Sequence, residues 1–416
     1  MRRLPTWNLL RSIATSYFLT TPILLKPGMA LMTRVANSRS LFLNPDVNPL
    51  LKMIIKPLIY QQFCAGVNFK ETQQVIQGIR DLGFAGVALT YAKEIHWNKG
   101  KDLVGAHGDH TAQLQAWLNG NLQTLDMIES GDWLAIKLTG AGMDVAEALL
   151  RGDEPPAQFM AALRTICEKA KAQNCRVWID AEQQAVQPTI DKWTLSFMRE
   201  FNKIGSVLVY TTIQAYLKSS RQTLKHQLET AHKEGWTCCV KLVRGAYISN
   251  EIRELIHNTK SDTDACYNGI VQGMLSGTFE NLSPEHFTNA RLLLAGHNSE
   301  SVRRALELSR SLALESKLKV APEFAQLQGM ADDIGCEIAQ WGEEQKKNST
   351  SMAAEKAHVL ESYVPKVYKC STWGSVQECM QYLVRRAVEN AAAVDRMRET
   401  AAEAKKELFR RMRPSS

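Results

Sequence analysis

Eight short apolar, β-rich runs, separated by longer stretches of helical pattern, constrain this chain more than any other feature. The runs are Gly86–Leu89, Leu134–Leu138, Arg176–Ile179, Ser206–Tyr210, Thr237–Val243, Arg291–Ala295, a weaker one at Glu323–Gln326, and Pro365–Tyr368. Helical segments such as Thr111–Ile128, Pro156–Ala172, Pro188–Asn202 and Ser299–Arg310 lie between them. Strands that alternate with helices pair in parallel, because the return to the same edge needs a long crossover. Continuously apolar strands are covered on both faces. Eight such units predict an α/β fold, a closed (β/α)8-type barrel rather than an open sheet. The polar stretch Gly342–His358 is expected to be a loop or insertion before the last strand. Residues 376–412 read as one long helix or two, completing the active site, with charges alternating in sign on a solvated face.

The net charge of +7 is unevenly placed. Residues 1–45 carry six Lys/Arg and no Asp or Glu, so the remainder is nearly neutral. A nucleic-acid footprint would lie on the folded domain, so no nucleic-acid partner is expected. The acid-free N-terminus has two readings: a mitochondrial transit peptide, or an ordinary helical lead-in to a cytoplasmic protein. The expected division is a basic helical lead-in over residues 1–58 and a barrel domain over 59–416. The apolar run Tyr17–Met32 is interrupted by Pro22, Lys26 and Pro27 and is too short to span a bilayer. Nine scattered cysteines, with no C-x-x-C, predict a reducing compartment, no disulfide framework and no zinc site.

In a parallel barrel, chemistry collects at the C-terminal ends of the strands. Those ends here are polar one after another: Lys137, then Asp180-Ala181-Glu182, then Gln214. Lys241 and Arg244-Gly245 with Tyr247 come next, then His297-Asn298, then Gln326-Leu327. A single polar strand end is often a surface accident, but six or seven sharing one rim are hard to explain structurally. Tyr382, Arg385, Arg386 and Glu389 share one broad helix face. Paired guanidiniums suit a carboxylate or phosphate, although a solvated Arg-Arg pair with Glu389 as its partner explains the same spacing. Asp180, Glu182 and His297 could suggest a divalent metal, but the neighbouring lysines and arginines argue against one. Gly140-Ala141-Gly142 lacks the third glycine and the second strand of a dinucleotide fingerprint.

These motifs together resemble the proline dehydrogenase family, in its fungal-type form, from about Leu9 to Arg411. The matching segments are Tyr60–Gly66, Asp180-Ala181-Glu182, Gln214–Lys218, and Lys241–Tyr247 with Glu251. To these are added Lys260 with Thr263, Asp264 and Tyr267, then His297-Asn298, Gln326-Leu327 with Gly329-Met330, and Tyr382 to Asn390. The resemblance implies a distorted barrel binding FAD non-covalently at its mouth. It implies oxidation of L-proline to 1-pyrroline-5-carboxylate, with electrons passed to a quinone-type acceptor and peripheral contact with a membrane. By position, Lys137, Arg385 and Arg386 would hold the substrate carboxylate and Asp180 would orient the arginines. Tyr247, Leu327 and Tyr382 would wall the ring. Gln214, Lys241, Arg244, Gly245, Thr263, His297, Asn298 and Glu389 would contact FAD. A donor and positive charge near the flavin ring suit the negative charge it gains on reduction.

The departures from the family pattern concern the substrate ring. Cys370 stands where the family has a tyrosine that packs on proline, and relatives preferring hydroxyproline have a small residue there. Thr90, Ile213 and Gly296 also differ from the usual residues. The expectation is therefore proline dehydrogenation. Two alternatives remain open: the same chemistry on a substituted proline or cyclic imino acid, and a catalytically inactive barrel that serves as a binding protein.

Overall fold

The computed structural model describes residues 1–38, 40–92, 96–98, 101–104, 109–248, 251–349, 363–389 and 393–413. Its strands are β1 (Cys64–Gly66), β2 (Gly86–Tyr91), β3 (His96–Asn98), β4 (Lys101–Val104), β5 (Trp133–Ile136) and β6 (Arg176–Ile179). They continue with β7 (Val209–Gln214), β8 (Cys238–Val243), β9 (Ala290–Ala295), β10 (Pro322–Leu327) and β11 (Val367–Trp373). The main sheet runs β1-β11-β10-β9-β8-β7-β6-β5-β2, and β11 also pairs with β2. The eight long staves thus close into a parallel barrel surrounded by helices, the predicted fold class. β3 and β4 form a separate antiparallel pair.

All eight predicted runs contain a barrel strand, with two shifts. The expected Ser206–Tyr210 strand forms at Val209–Gln214, and the expected Pro365–Tyr368 strand extends to Trp373. The expected loop from Gly342 begins as helix, because the Asp332–Ser349 helix continues into it. Residues 350–362, including His358, lie outside the described residues. The C-terminal pattern forms two helices, Val376–Glu389 and Ala393–Met412.

The chain divides into two compact units. One comprises residues 94–324 and 342–366, the other 1–93, 325–341 and 367–416. In the first unit, β5 to β9 pair in register, Trp133 opposite Arg176 and Lys241 opposite both Thr212 and Leu293. An aromatic cluster runs across β5, β6 and β7. Trp133 packs on Trp178 at 5.5 Å and edge-on to Tyr210 at 4.6 Å, and Arg176 lies 3.7 Å over Trp133 while pairing with Glu323.

In the second unit, the Thr6–Thr20 helix packs on the Ala393–Met412 helix. Ser16 donates to the Met397 carbonyl at 2.7 Å, and Arg411 donates to the carbonyls of Arg2 and Leu4. The Pro22–Asn37 helix packs its Met32, Val35 and Ala36 against Cys379, Met380 and Val384 of the Val376–Glu389 helix. Pro22 is tolerated at the helix start, where its missing N–H is not needed. Pro27 sits inside the helix without ending it, so the expected interruption occurs only at Thr21. Asp46 accepts from the backbone N–H groups of Val376 and Gln377 at 2.9 and 3.0 Å. It therefore caps the Val376–Glu389 helix and meets the positive end of its dipole. No described helix is long and apolar enough to cross a membrane.

Candidate active site

The segment after β6 ties the strand ends of the first unit together. Asp180 pairs with Lys241 of β8 at 2.5 Å, and the Lys241 ammonium lies 4.1 Å over the Trp178 ring. The Ala181 carbonyl accepts from the Tyr247 hydroxyl at 3.3 Å, and the Glu182 carbonyl from Gln214 Nε2 at 3.3 Å. The Glu182 carboxylate accepts from the Thr139 N–H at 3.1 Å and from its hydroxyl. The Gln184 N–H donates to both oxygens of Glu251 at 3.0 and 3.1 Å. Four of the five positions from 180 to 184 thus fix the loops after β5, β7 and β8. Lys241 is only 7% exposed. Removing one member of such a buried pair leaves the other unpaired, which typically costs about 3–5 kcal/mol.

A second framework holds the loop after β8. Gly245 has φ of +136°, and a Cβ there would lie 2.1 Å from the Tyr216 ring. Glycine is needed both for that backbone and for the ring packed on it. The Tyr216 hydroxyl donates to Glu251 at 3.0 Å, and its N–H to the Arg244 carbonyl at 2.7 Å. Burial raises the Glu251 pKa above its ordinary value, opposed by the hydrogen bonds from Tyr216 and Gln184. Arg244 lies 4.2 Å over the Tyr267 ring, donating to Asp264 at 2.8 Å and Ser301 at 2.7 Å. Burial acts to raise the Asp264 pKa, but hydrogen bonds from Lys260 and Arg244 hold the carboxylate below its usual range. Asn298 caps the Ser299–Leu314 helix by accepting from the Ser301 N–H at 2.9 Å. His297 precedes it, half-buried. Thr263 stands on the first turn of the Lys260–Ser276 helix, its hydroxyl donating to the Thr259 carbonyl at 3.4 Å. Lys137 is half-buried just past β5, and its carbonyl accepts from Trp117 at 3.2 Å.

The remaining expected residues belong to the second unit. Leu327 ends β10, and Cys370 sits half-buried in β11 opposite Ala88. The neighbouring Ser371 donates to Gln328 at 2.6 Å. Tyr382 is buried on the Val376–Glu389 helix, which also carries Arg385, Arg386 and Glu389. Asn390 lies outside the described residues.

Within the first unit, Asp180, Lys241, Gln214, Tyr247, Arg244, Gly245 and Asn298 fall into one connected framework. Glu182, Glu251 and Asp264 anchor it, and of these the sequence had singled out only Glu182, weighed there as a metal ligand. Each was in a quoted motif, and that was the available signal. Asp46 lay outside every motif, and nothing local marks it as a cap for a helix more than 300 residues away.

A proline dehydrogenase family model matches residues 88–399. The probable mitochondrial proline dehydrogenase of Schizosaccharomyces pombe is 31% identical over 258 residues, covering 59% of this chain and 49% of that protein. The mitochondrial proline dehydrogenase 1 of Homo sapiens is 30% identical over 264 residues, covering 62% and 39%. The hydroxyproline dehydrogenase of Mus musculus is 30% identical over 263 residues, covering 61% and 51%. The chain thus spans about half or less of the length of these relatives. Proline utilization A from Bdellovibrio bacteriovorus, solved after inactivation by N-propargylglycine, superposes with a TM-score of 0.66 at 17% identity, covering 91% of this chain and 38% of that one. That likeness concerns the fold, whereas the family model covers about three-quarters of the sequence, and the chain belongs to the proline dehydrogenase family.

Proposed function

We propose that the chain is an FAD-dependent dehydrogenase that oxidises L-proline to 1-pyrroline-5-carboxylate, passing the electrons to a quinone-type acceptor in proline catabolism. The observation that carries the reading is the buried Asp180–Lys241 pair inside the loop framework after β6. A costly buried charge pair at strand ends is maintained where charge must be handled.

The donor set fits FAD. Arg244 uses two of its five N–H donors on Asp264 and Ser301, and its Nη1 makes no hydrogen bond among the described residues. The start of the Ser299–Leu314 helix, capped by Asn298, adds positive potential. A guanidinium beside a helix N-terminus suits a diphosphate. Gln214 and Lys241 would contact the ring system, with Gly245, Thr263, His297 and Glu389 completing the contacts. Bound there, FAD would accept the hydride equivalent removed from the imino-acid carbon. Lys137, Arg385 and Arg386 would hold the substrate carboxylate, Asp180 would orient the arginines, and Tyr247, Leu327 and Tyr382 would exclude water around the ring. Residues 1–58 would serve as a helical lead-in and 59–416 as the flavin domain. The relatives' names favour a mitochondrial location, and peripheral contact with a membrane is part of the same proposal.

Half-buried Cys370 favours a second reading, in which the substrate is a 4-substituted proline or another cyclic imino acid. Anaerobic flavin bleaching tests both. After reconstitution with FAD, the protein should show flavin absorbance that L-proline bleaches. No flavin absorbance would refute the cofactor. Bleaching by trans-4-hydroxyproline but not L-proline would select the second reading, and bleaching by no imino acid would select an inactive barrel.

A further inference from the structure

The unit formed by residues 1–93, 325–341 and 367–416 contains a cavity of about 470 Å³ that the proposed chemistry does not use. Its walls come from the starts of the Thr6–Thr20 helix and its lead-in, the Phe69–Asp81 helix, residues 56–65, and the segment around Asp332 and Lys369. Part of the lining is apolar: Leu4, Val75, Ile79, Leu82 and Phe84. The charged part carries three cations, Arg11, Lys56 and Lys369, and two carboxylates, Glu71 and Asp332. The lining therefore has one positive charge in excess (three minus two).

Two of the cations are neutralised within the protein. Lys56 pairs with Glu71 at 2.5 Å, and Lys369 with Asp332 at 2.6 Å. Arg11 is different. Its Nε donates to Gln62 Oε1 at 2.9 Å and its Nη2 reaches Asn8 Oδ1 at 3.5 Å, both neutral amide oxygens. Among the described residues it has no carboxylate partner within ion-pair distance. Burial lowers its pKa from the ordinary value, and the nearby Asp332 charge, already engaged by Lys369, opposes that only partly. A desolvated guanidinium with most of its five N–H donors unengaged is a site for an anion.

We infer that this cavity binds a small organic carboxylate with an apolar body, the carboxylate seated on Arg11. One excess positive charge matches one carboxylate, and a planar fork receives it through two parallel hydrogen bonds. The apolar wall and a volume within the usual range for small-molecule sites call for a body as well as a head. Inorganic phosphate, with a charge nearer −2 and no body, matches neither.

The test titrates the purified full chain with sodium hexanoate by calorimetry, with 1-hexanol and sodium phosphate as controls. Hexanoate should bind saturably and at least tenfold more tightly than hexanol. Arg11→Gln should weaken it at least tenfold, about 1.4 kcal/mol. Gly78→Leu provides a second variant that does not depend on tolerating a lost arginine. Gly78 lines the cavity, a Cβ there meets nothing within 4 Å, and leucine favours the helix it stands in. It should abolish hexanoate binding by filling the space. No saturable hexanoate binding to the folded protein would overturn the inference. So would hexanoate affinity that survives both variants, or Arg11-dependent binding of phosphate without hexanoate.

Discussion

Asp191 offers a test of the framework from beneath. It stands on the Gln187–Phe201 helix and accepts from Gln187 Nε2 at 2.7 Å, while Gln187 Oε1 accepts from the Glu182 N–H at 2.7 Å. Glu182 in turn holds Thr139. Burial raises the Asp191 pKa from 3.8 to about 7, against the opposing effect of the Gln187 hydrogen bond. The folded state therefore binds this proton more tightly than the unfolded chain. The associated stability is complete below pH ~4 and is lost as pH rises through about 7. A shift of roughly three units corresponds to about 4 kcal/mol at most, and incomplete burial reduces it to about 2–4. Asp191→Asn keeps an acceptor for Gln187 but cannot ionise. Scanning calorimetry should find the variant's advantage over wild type distinctly larger at pH 8.5 than at pH 5. For a chain of this length the gain should be roughly 2–5 °C in Tm. A difference in Tm that stays flat between pH 5 and pH 8.5 would mean that Asp191 does not carry a proton into the folded state, and would refute the reasoning.

Three further outcomes are expected. Arg386→Met should retain flavin but lose about 2–5 kcal/mol of transition-state stabilisation, read as kcat/KM; a fall of less than about tenfold would remove Arg386 from the carboxylate site. Cys370→Tyr should shift the ratio of kcat/KM for L-proline over trans-4-hydroxyproline towards proline by about 1–3 kcal/mol, and an unchanged ratio would mean this position does not set ring specificity. Asp46→Ala strips two N–H partners from the Val376–Glu389 helix and should destabilise the chain by about 1 kcal/mol, measured by denaturant midpoint; an unchanged midpoint would show the cap is dispensable.

The barrel was legible because its strands are continuously apolar, and burial of both faces leaves that mark on sequence. The two shifted strands show what is not legible. The strand expected at Ser206 starts at Val209 because the buried Asn202 side chain organises the turn before it. Its Oδ1 accepts from the N–H groups of Leu208 and Val209, and its Nδ2 donates to the carbonyls of Val209 and Thr237. β11 runs on through Lys369-Cys370-Ser371-Thr372, beyond the apolar run that marks its start. The strand persists because Lys369 is neutralised by Asp332 and Ser371 is bonded to Gln328. The site followed the same division. Its cations, amides and the carboxylates Asp180 and Glu182 were visible as polar strand ends, whereas Glu251 and Asp264 lie past those ends and act through partners 67 and 20 residues away. The Thr259 capping box with Asp262 was written locally, and the structure forms it.

The packing of the first helix on the last has a consequence for how the protein is made. Ser16 and its partner Met397 are 381 residues apart. At a synthesis rate of about 5–20 residues per second, the first helix waits roughly 20–75 s on the ribosome before its docking surface exists. Throughout that interval a basic, acid-free segment is exposed on an otherwise folding chain. Any cellular factor that reads the face formed by Leu9, Ser12 and Ser16 must act within that window, because those residues are buried in the folded protein.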